Sequence, residues 1–263
     1  MTGLAIITGA SSGLGSAFAK ALAQQGYDLL LIARRQEQLK AIAETLPTTV
    51  HILALDLTTD QATKTIIEYL KHHHLLPTLL INNAGFGVVK PALEVDNICY
   101  DKMIDLNIKA LTDLSLSVAS IMKTARHGTI LNIASIAAFC PCPYLSVYGA
   151  TKAYVLAFSE NLSLELSEYG IHVCAICPGP VKTEFWQRAG LSQTETFDYC
   201  MMEPEAVVEC ALSALQSKQI QTSPGLLNKV LYILVKMLPR CLSERLATTL
   251  IKKIAEKPKN IQK

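Results

Sequence analysis

Charge is scarce in this sequence. Only 17% of its 263 residues are Asp, Glu, Lys or Arg, and half are apolar. The 24 basic and 22 acidic side chains nearly cancel, leaving a formal net charge of +2. So apolar a chain is not a disordered one. The charge sum suits neither a nucleic-acid binder nor an acidic protein. Long apolar runs are missing too. None reaches the ~18 residues that a membrane-spanning helix needs, and the most apolar late stretch, 226–238, is broken by Lys229 and Lys236. No basic region precedes the apolar start, so no signal peptide is expected.

Cysteine is sparse as well. Eight in the whole chain are too few for a disulfide scaffold. Cys174 and Cys177 form a C-x-x-C, but inside a β-branched apolar run rather than at the start of a helix. Along a strand, positions three apart point to opposite faces, so these read as structural thiols and not as a redox or zinc pair. Cys140-Pro141-Cys142 is too tight for a bridge and has no partner pair at zinc spacing. A reducing, cytoplasmic compartment is the expectation. His72, His73 and His74 stand in a row, where neighbours cannot converge on one metal, and they read as a solvated loop.

What is present is an alternation. Short apolar runs at 4–8, 28–33, 50–55, 78–82, 129–134 and 171–176 read as strands, with a seventh near 220–222. Most lack polar alternation, as parallel strands covered on both faces do. Helical spacing fills roughly 13–26, 35–46, 60–73, 100–125 and 147–169. The pattern predicts an α/β fold with a doubly wound parallel sheet. No linker or repeat interrupts it before residue 225, so residues 1–225 read as one domain and 226–263 as a helical extension.

The first strand runs into Thr8-Gly9-Ala10-Ser11-Ser12-Gly13-Leu14-Gly15. Gly9 can take a tight turn, Gly13 can let backbone approach a pyrophosphate, and Gly15 can let the helix pack on the strand. An anion then sits at the helix N-terminus, where free N–H groups and the dipole favour it. Strand two ends in Ala33-Arg34-Arg35, with no carboxylate for ribose hydroxyls but with guanidinium groups that match a phosphate. Tyr148-Gly149-Ala150-Thr151-Lys152 places a phenol and an ammonium four apart, on one helix face. A nearby cation lowers a tyrosine pKa from about 10 towards a useful range. Ser135 lies thirteen residues earlier, at the end of the fifth strand, where a hydroxyl could bond a carbonyl oxygen.

The G-x3-G-x-G spacing resembles the glycine motif of the short-chain dehydrogenase/reductase superfamily, and the resemblance extends over about residues 3–222. It implies a Rossmann-like fold of about seven strands. It implies a nicotinamide cofactor held by Gly9, Ser11, Ser12, Gly13, Leu14 and Gly15, with Arg34 and Arg35 on a 2′-phosphate, so NADP(H) in preference to NAD(H). Asp56 and Leu57 match the adenine position. Asn83, Ala84 and Gly85 belong to Asn82-Asn83-Ala84-Gly85, which matches the N-N-A-G motif. Pro178, Gly179 and Thr183 match the loop that contacts the carboxamide. Asn107, Ser135, Tyr148 and Lys152 match the catalytic tetrad; Tyr148 and Lys152 would also touch the cofactor. The implied activity is hydride transfer between the cofactor and a carbonyl or alcohol, without a metal.

Residues 180–203 correspond to the variable substrate loop. Phe185, Trp186, Phe197, Tyr199, Met201 and Met202 make it apolar, and Ile136 to Phe139 add a second apolar wall. A hydrophobic ketone, ketoacyl or steroid-like substrate is expected, and no nucleic acid. A homodimer or homotetramer follows only by analogy. The extension carries nine Lys/Arg against two Asp/Glu, so the remaining 225 residues are net acidic. Leu227, Val230, Leu231, Leu234 and Leu238 share one helical face; the extension reads as packed on the domain or a sister subunit, or as a peripheral membrane contact, or as a disordered tail. An NADPH-sensing regulator and a membrane adaptor remain alternative functions at this point, as does an epimerase or dehydratase of the same superfamily.

Overall fold

The computed structural model describes residues 3–191, 201–225 and 228. The strands are β1 (Leu4–Thr8), β2 (Asp28–Ala33), β3 (Val50–Ala54), β4 (Pro77–Asn82), β5 (Gly128–Ile133), β6 (Ile171–Ile176) and β7 (Gln221–Thr222). All pair in parallel, in the order β3-β2-β1-β4-β5-β6-β7. The helices are α1 (Gly13–Gln24), α2 (Gln36–Ala43), α3 (Ala62–His72), α4 (Asn97–Ile104), α5 (Leu111–Ala125), α6 (Ser146–Leu166), α7 (Phe185–Arg188) and α8 (Pro204–Gln216).

The unbroken apolar strands are explained by two helical layers. Side chains alternate along a strand, so Ala5 and Ile7 of β1 pack with Phe18 and Leu22 of α1, Leu39 of α2 and Val207 of α8. Leu4 and Ile6 point the other way, to Ile66 of α3, Leu114 and Val118 of α5 and Leu162 of α6. Phe18, fully buried, contributes about 1.5–3 kcal/mol in this way. The doubly wound sheet expected from the pattern is therefore the one observed. Its strand order reverses between β1 and β4, and a crevice opens there at the carboxyl ends of the strands.

Most element ends fall within a few residues of expectation. One helix does not. The helical stretch expected at 100–125 starts at Asn97, capped by Asp96, whose carboxylate accepts the Ile98 N–H at 2.9 Å. It is then interrupted by a π-helical turn, Asp105–Ala110, which contains Asn107. Periodicity does not register a turn widened by one residue. Cys174 and Cys177 are buried and free, and they pack into different apolar clusters. His72 closes α3, and all three histidines are exposed. Among the described residues no helix is long and apolar enough to cross a membrane, and no cluster of His, Cys, Asp or Glu is suited to a metal. The extension at 226–263 lies outside the described residues, apart from Asn228, whose amide donates to the Pro224 carbonyl at 2.7 Å.

Candidate active site

The glycine turn is fixed before any ligand is considered. Gly9 has φ +65° and Gly13 has φ +55°, a region that side-chain-bearing residues rarely occupy. A Cβ on Gly15 would run into the Gly9 carbonyl oxygen and come within 2.8 Å of Ala10 Cα, so α1 could not lie this close to the turn. The turn is also tied to the end of β4. Asn83 Nδ2 donates to the carbonyls of Thr8 (2.9 Å) and Gly9 (3.2 Å). Thr8 Oγ1 accepts the backbone N–H groups of Asn83 and Ala84, each at 3.0 Å. At the start of α1, Ser12 places no side-chain oxygen on the first-turn N–H groups, and no acidic residue stands there. Donors and dipole are thus left for an anion.

A cleft of 970 Å³ runs from this turn across the sheet ends. At one end lie Arg34, Arg35, Asp56, Leu57, Thr58 and Lys102. Arg35 donates to Ser11 Oγ from Nε (3.3 Å) and Nη2 (3.1 Å), to the Ser11 carbonyl (3.3 Å), and to Glu184 across the mouth (3.3 Å). Its side chain is 32% exposed, while Arg34, 3.9 Å from Asp56, is 73% exposed. Burial opposes ionisation of Asp56, but bonds from the Thr58 N–H and hydroxyl, with Arg34 and Lys102 nearby, hold its pKa below the ordinary value.

At the other end Ser135, Tyr148 and Lys152 meet. Ser135 Oγ accepts the Ala137 N–H at 3.1 Å and hydrogen-bonds the Tyr148 hydroxyl. Lys152 is buried, and its Nζ donates to the Ile133 carbonyl at 2.7 Å. The ammonium sits 5.8 Å from the Tyr148 ring centroid. The expected lowering of the Tyr148 pKa by Lys152 is not what prevails. Burial pushes the phenol up to about 12, and the relief comes from the Ser135 bond. Burial likewise brings Lys152 down to about 8.

Asn107 enters from the π turn. Its Oδ1 accepts the Phe86 N–H (3.1 Å), and its Nδ2 donates to the Phe86 carbonyl (2.9 Å) and to Thr151 Oγ1 (3.1 Å). Thr151 Oγ1 in turn donates to the Tyr148 carbonyl at 2.8 Å. The Gly85–Phe86 segment is therefore pinned beside Lys152; a Cβ on Gly85 would stand 3.1 Å from Asn107 Oδ1 and 3.5 Å from Lys152 Nζ. Pro178 and Gly179 line the cleft, as does Thr183; Thr183 Oγ1 accepts the Phe185 N–H at 3.3 Å. Every site residue singled out in the sequence thus reaches the cleft except Asn107, which acts on its wall, and Gly15, which packs beneath the turn.

The substrate walls differ from expectation. Phe185 lies 5.4 Å from the Tyr148 ring and 5.3 Å from Trp186, between centroids, and both aromatics line the cleft. Ile136 and Ala137 line it too, but Ala138 and Phe139 turn into the core behind. Met202 packs on the α1–α8 core rather than the cleft, because its backbone pairs with Pro180 and Lys182. Met201 does not line the cleft; Phe197 and Tyr199 lie outside the described residues. Sequence reasoning missed Phe86, Val89, Cys140, Cys142, Leu145, Glu184 and Leu191 in the lining. One signal could have found the cysteines: both ends of the segment 135–148 belong to one site, so the loop between them borders it.

Residues 3–194 match the family described as short chain dehydrogenase. Sulfoacetaldehyde reductase 2 of Chromohalobacter salexigens is 37% identical over 70% of this chain and 75% of its own length. Among solved structures, a short-chain dehydrogenase from Sphingobium yanoikuyae in complex with NADPH superposes with a TM-score of 0.79 at 33% identity, covering 90% of this chain and 96% of that one. A bulky-bulky ketone specific alcohol dehydrogenase from Comamonas testosteroni gives 0.74 at 29% identity, covering 90% and 95%.

Proposed function

Because this chain belongs to the short-chain dehydrogenase family, we propose that it transfers a hydride between NADP(H) and a hydrophobic carbonyl/alcohol pair. The observation that carries this is one cleft with two ends: an arginine-bearing glycine turn at one, and Ser135, Tyr148 and Lys152 at the other. The donor set fits the cofactor. Uncapped N–H groups of α1 suit the pyrophosphate, and Ser11, Arg34 and Arg35 suit a 2′-phosphate, with Ala33 leaving no carboxylate to repel it. Asp56, held ionised, and Leu57 would take the adenine, and Pro178, Gly179 and Thr183, which line the cleft, would take the carboxamide.

The cofactor, when bound, supplies the hydride. The chain supplies the proton and the orientation. Tyr148, with its pKa near 12, keeps its proton at neutral pH and is set to donate it to the carbonyl oxygen during reduction. Ser135 bonds the same oxygen and fixes its direction. Lys152, held by the Ile133 carbonyl and close to both Tyr148 and Gly85, would hold the nicotinamide ribose. Asn107 is a positioning residue: its amide is committed to Phe86 and Thr151, so it braces the wall that Lys152 works against.

The substrate end supports an apolar substrate. Phe86, Val89, Leu145, Phe185, Trp186 and Leu191 surround it, and Arg188, which also lines the cleft, is engaged by Glu184. The bulky ketone named for the Comamonas neighbour fits such walls better than the anionic aldehyde named for the Chromohalobacter relative. Tyr148→Phe tests the assignment. It should bind NADPH as the wild type does and reduce a bulky ketone about 10²–10⁴-fold more slowly. Wild-type turnover in that variant would remove Tyr148 from the chemistry.

A further inference from the structure

Two thiols border the substrate end, and the hydride-transfer reading gives them no task. Cys140 and Cys142 line the cleft as free, partly buried cysteines. Cys140 follows the Ser135 turn, its sulfur 3.8 Å from the Ile136 carbonyl. Cys142 reaches the other side, where a Cβ on Gly149, next to Tyr148, would lie 3.6 Å from Cys142 Cβ. The pair therefore spans the wall between the two groups that would hold a carbonyl oxygen. The two sulfurs are unequal. Cys142 donates to the Cys140 carbonyl at 3.3 Å, whereas Cys140 donates to the Ile136 carbonyl at the longer 3.8 Å, and the neighbouring Cys142 thiol lowers the Cys140 pKa.

We propose that Cys140 is a covalent attachment site for α,β-unsaturated carbonyl compounds that enter the substrate end of the cleft. The inference rests on the carbonyl-binding role proposed for Tyr148 and Ser135. Their hydrogen bonds draw electron density towards the carbonyl oxygen and leave the conjugated β carbon electrophilic. The Cys140 sulfur lone pair forms the C–S bond at that carbon. The π pair of the C=C bond moves to the α carbon through the enolate held at Tyr148 and Ser135. The proton lost from the Cys140 thiol ends on the α carbon. The net change is addition of S–H across C=C, with no oxidant, reductant or leaving group. The Cys142 thiol beside it favours the step by lowering the Cys140 pKa against the opposing effect of burial. An unsaturated ketone thus has two fates here, reduction at the carbonyl carbon or capture at the β carbon. A saturated ketone of the same shape has only the first.

The test uses the full-length wild-type protein, cyclohex-2-en-1-one as electrophile and cyclohexanone as its saturated counterpart. Peptide mapping by mass spectrometry follows alkylation at Cys140 and at Cys99, a partly exposed thiol outside the cleft lining. Cys140 should label at least about tenfold faster than Cys99, as a thiolate-rich site should. Excess cyclohexanone should slow labelling at Cys140 and leave Cys99 unchanged, and Cys140→Ser should lose the fast adduct. Equal rates at the two cysteines, or no protection by cyclohexanone, would overturn the proposal. NADPH oxidation with cyclohexanone, followed on the same sample, separates the two readings. Turnover without selective labelling sinks the attachment site alone. Selective, protected labelling without turnover of either cyclohexanone or a bulky ketone upholds the site and sinks the reductase reading.

Discussion

Replacing Arg35 by alanine should weaken NADPH binding far more than NADH binding. Arg35 is the less exposed of the two arginines and is already oriented by three bonds to Ser11, so little side-chain entropy is lost when a phosphate joins it. A charge-assisted hydrogen bond is worth about 1.5–3 kcal/mol, so NADPH should bind roughly 10–150-fold more weakly. Arg34 is 73% exposed; an ion pair so solvated is worth about 0–1 kcal/mol, and Arg34→Ala should cost no more than about fivefold. NADH lacks the 2′-phosphate and should be nearly unaffected in both variants. Glu184 supplies an internal control. It draws Arg35 across the cleft mouth at 3.3 Å, so Glu184→Gln should tighten NADPH binding by up to about fivefold, the worth of an exposed pair. Titrations of both cofactors, followed by nicotinamide fluorescence at fixed ionic strength, give all the constants. An equal loss of NADPH and NADH affinity in Arg35→Ala would refute the reasoning, because the arginine would then be shaping the turn rather than reading the phosphate.

Two further outcomes concern stability. Lys152 has a folded pKa of about 8 against an ordinary 10.5, so between those values the unfolded chain binds a proton that the folded chain does not. Stability must then rise with pH across that window, by at most about 3 kcal/mol, and denaturant midpoints should show a rise in the wild type that Lys152→Met lacks; parallel pH profiles would contradict it. Asn132→Leu removes the acceptor of Asn82 Nδ2 (2.9 Å) and the donor to Ser159 Oγ (2.9 Å). Asn82 Nδ2 keeps Ser115 and Ser159 keeps the Val155 carbonyl, so one buried N–H left without an acceptor, at about 1–3 kcal/mol, should lower the melting temperature by roughly 2–12 °C, and an unchanged value would mean that this polar chain contributes no net stability.

The parts of the site that follow local rules were legible in the chain. The glycine turn announces itself because glycine is the residue that most readily takes the positive φ of residues 9 and 13, and the Tyr148/Lys152 pair because four residues bring side chains onto one helical face. The reading failed where the decisive quantity is three-dimensional. Spacing foretold an ammonium near a phenol but not that burial would outweigh it. Apolar composition marked 136–139 as a wall, yet strand-end geometry turns Phe139 away and brings Cys140 and Cys142 forward instead. The π turn at Asn107 was invisible because one added residue leaves the apolar rhythm nearly intact.

The buried amides also bear on how the sheet finds its alignment. Asn82 and Asn132 face each other as register partners of β4 and β5, and the crossover between those strands is long enough to permit alternatives. A slip of one residue in either strand would turn its amide to the opposite face, away from its serine partner, Ser115 for Asn82 and Ser159 for Asn132, and into hydrocarbon. Apolar strands such as these discriminate poorly among offsets, since leucine replaces isoleucine at little loss. Two asparagines side by side do not forgive the error. They act as an alignment mark in an otherwise greasy sheet, so the carboxyl ends of β4 and β5, and with them Asn83 and Ser135, come to rest at matching heights.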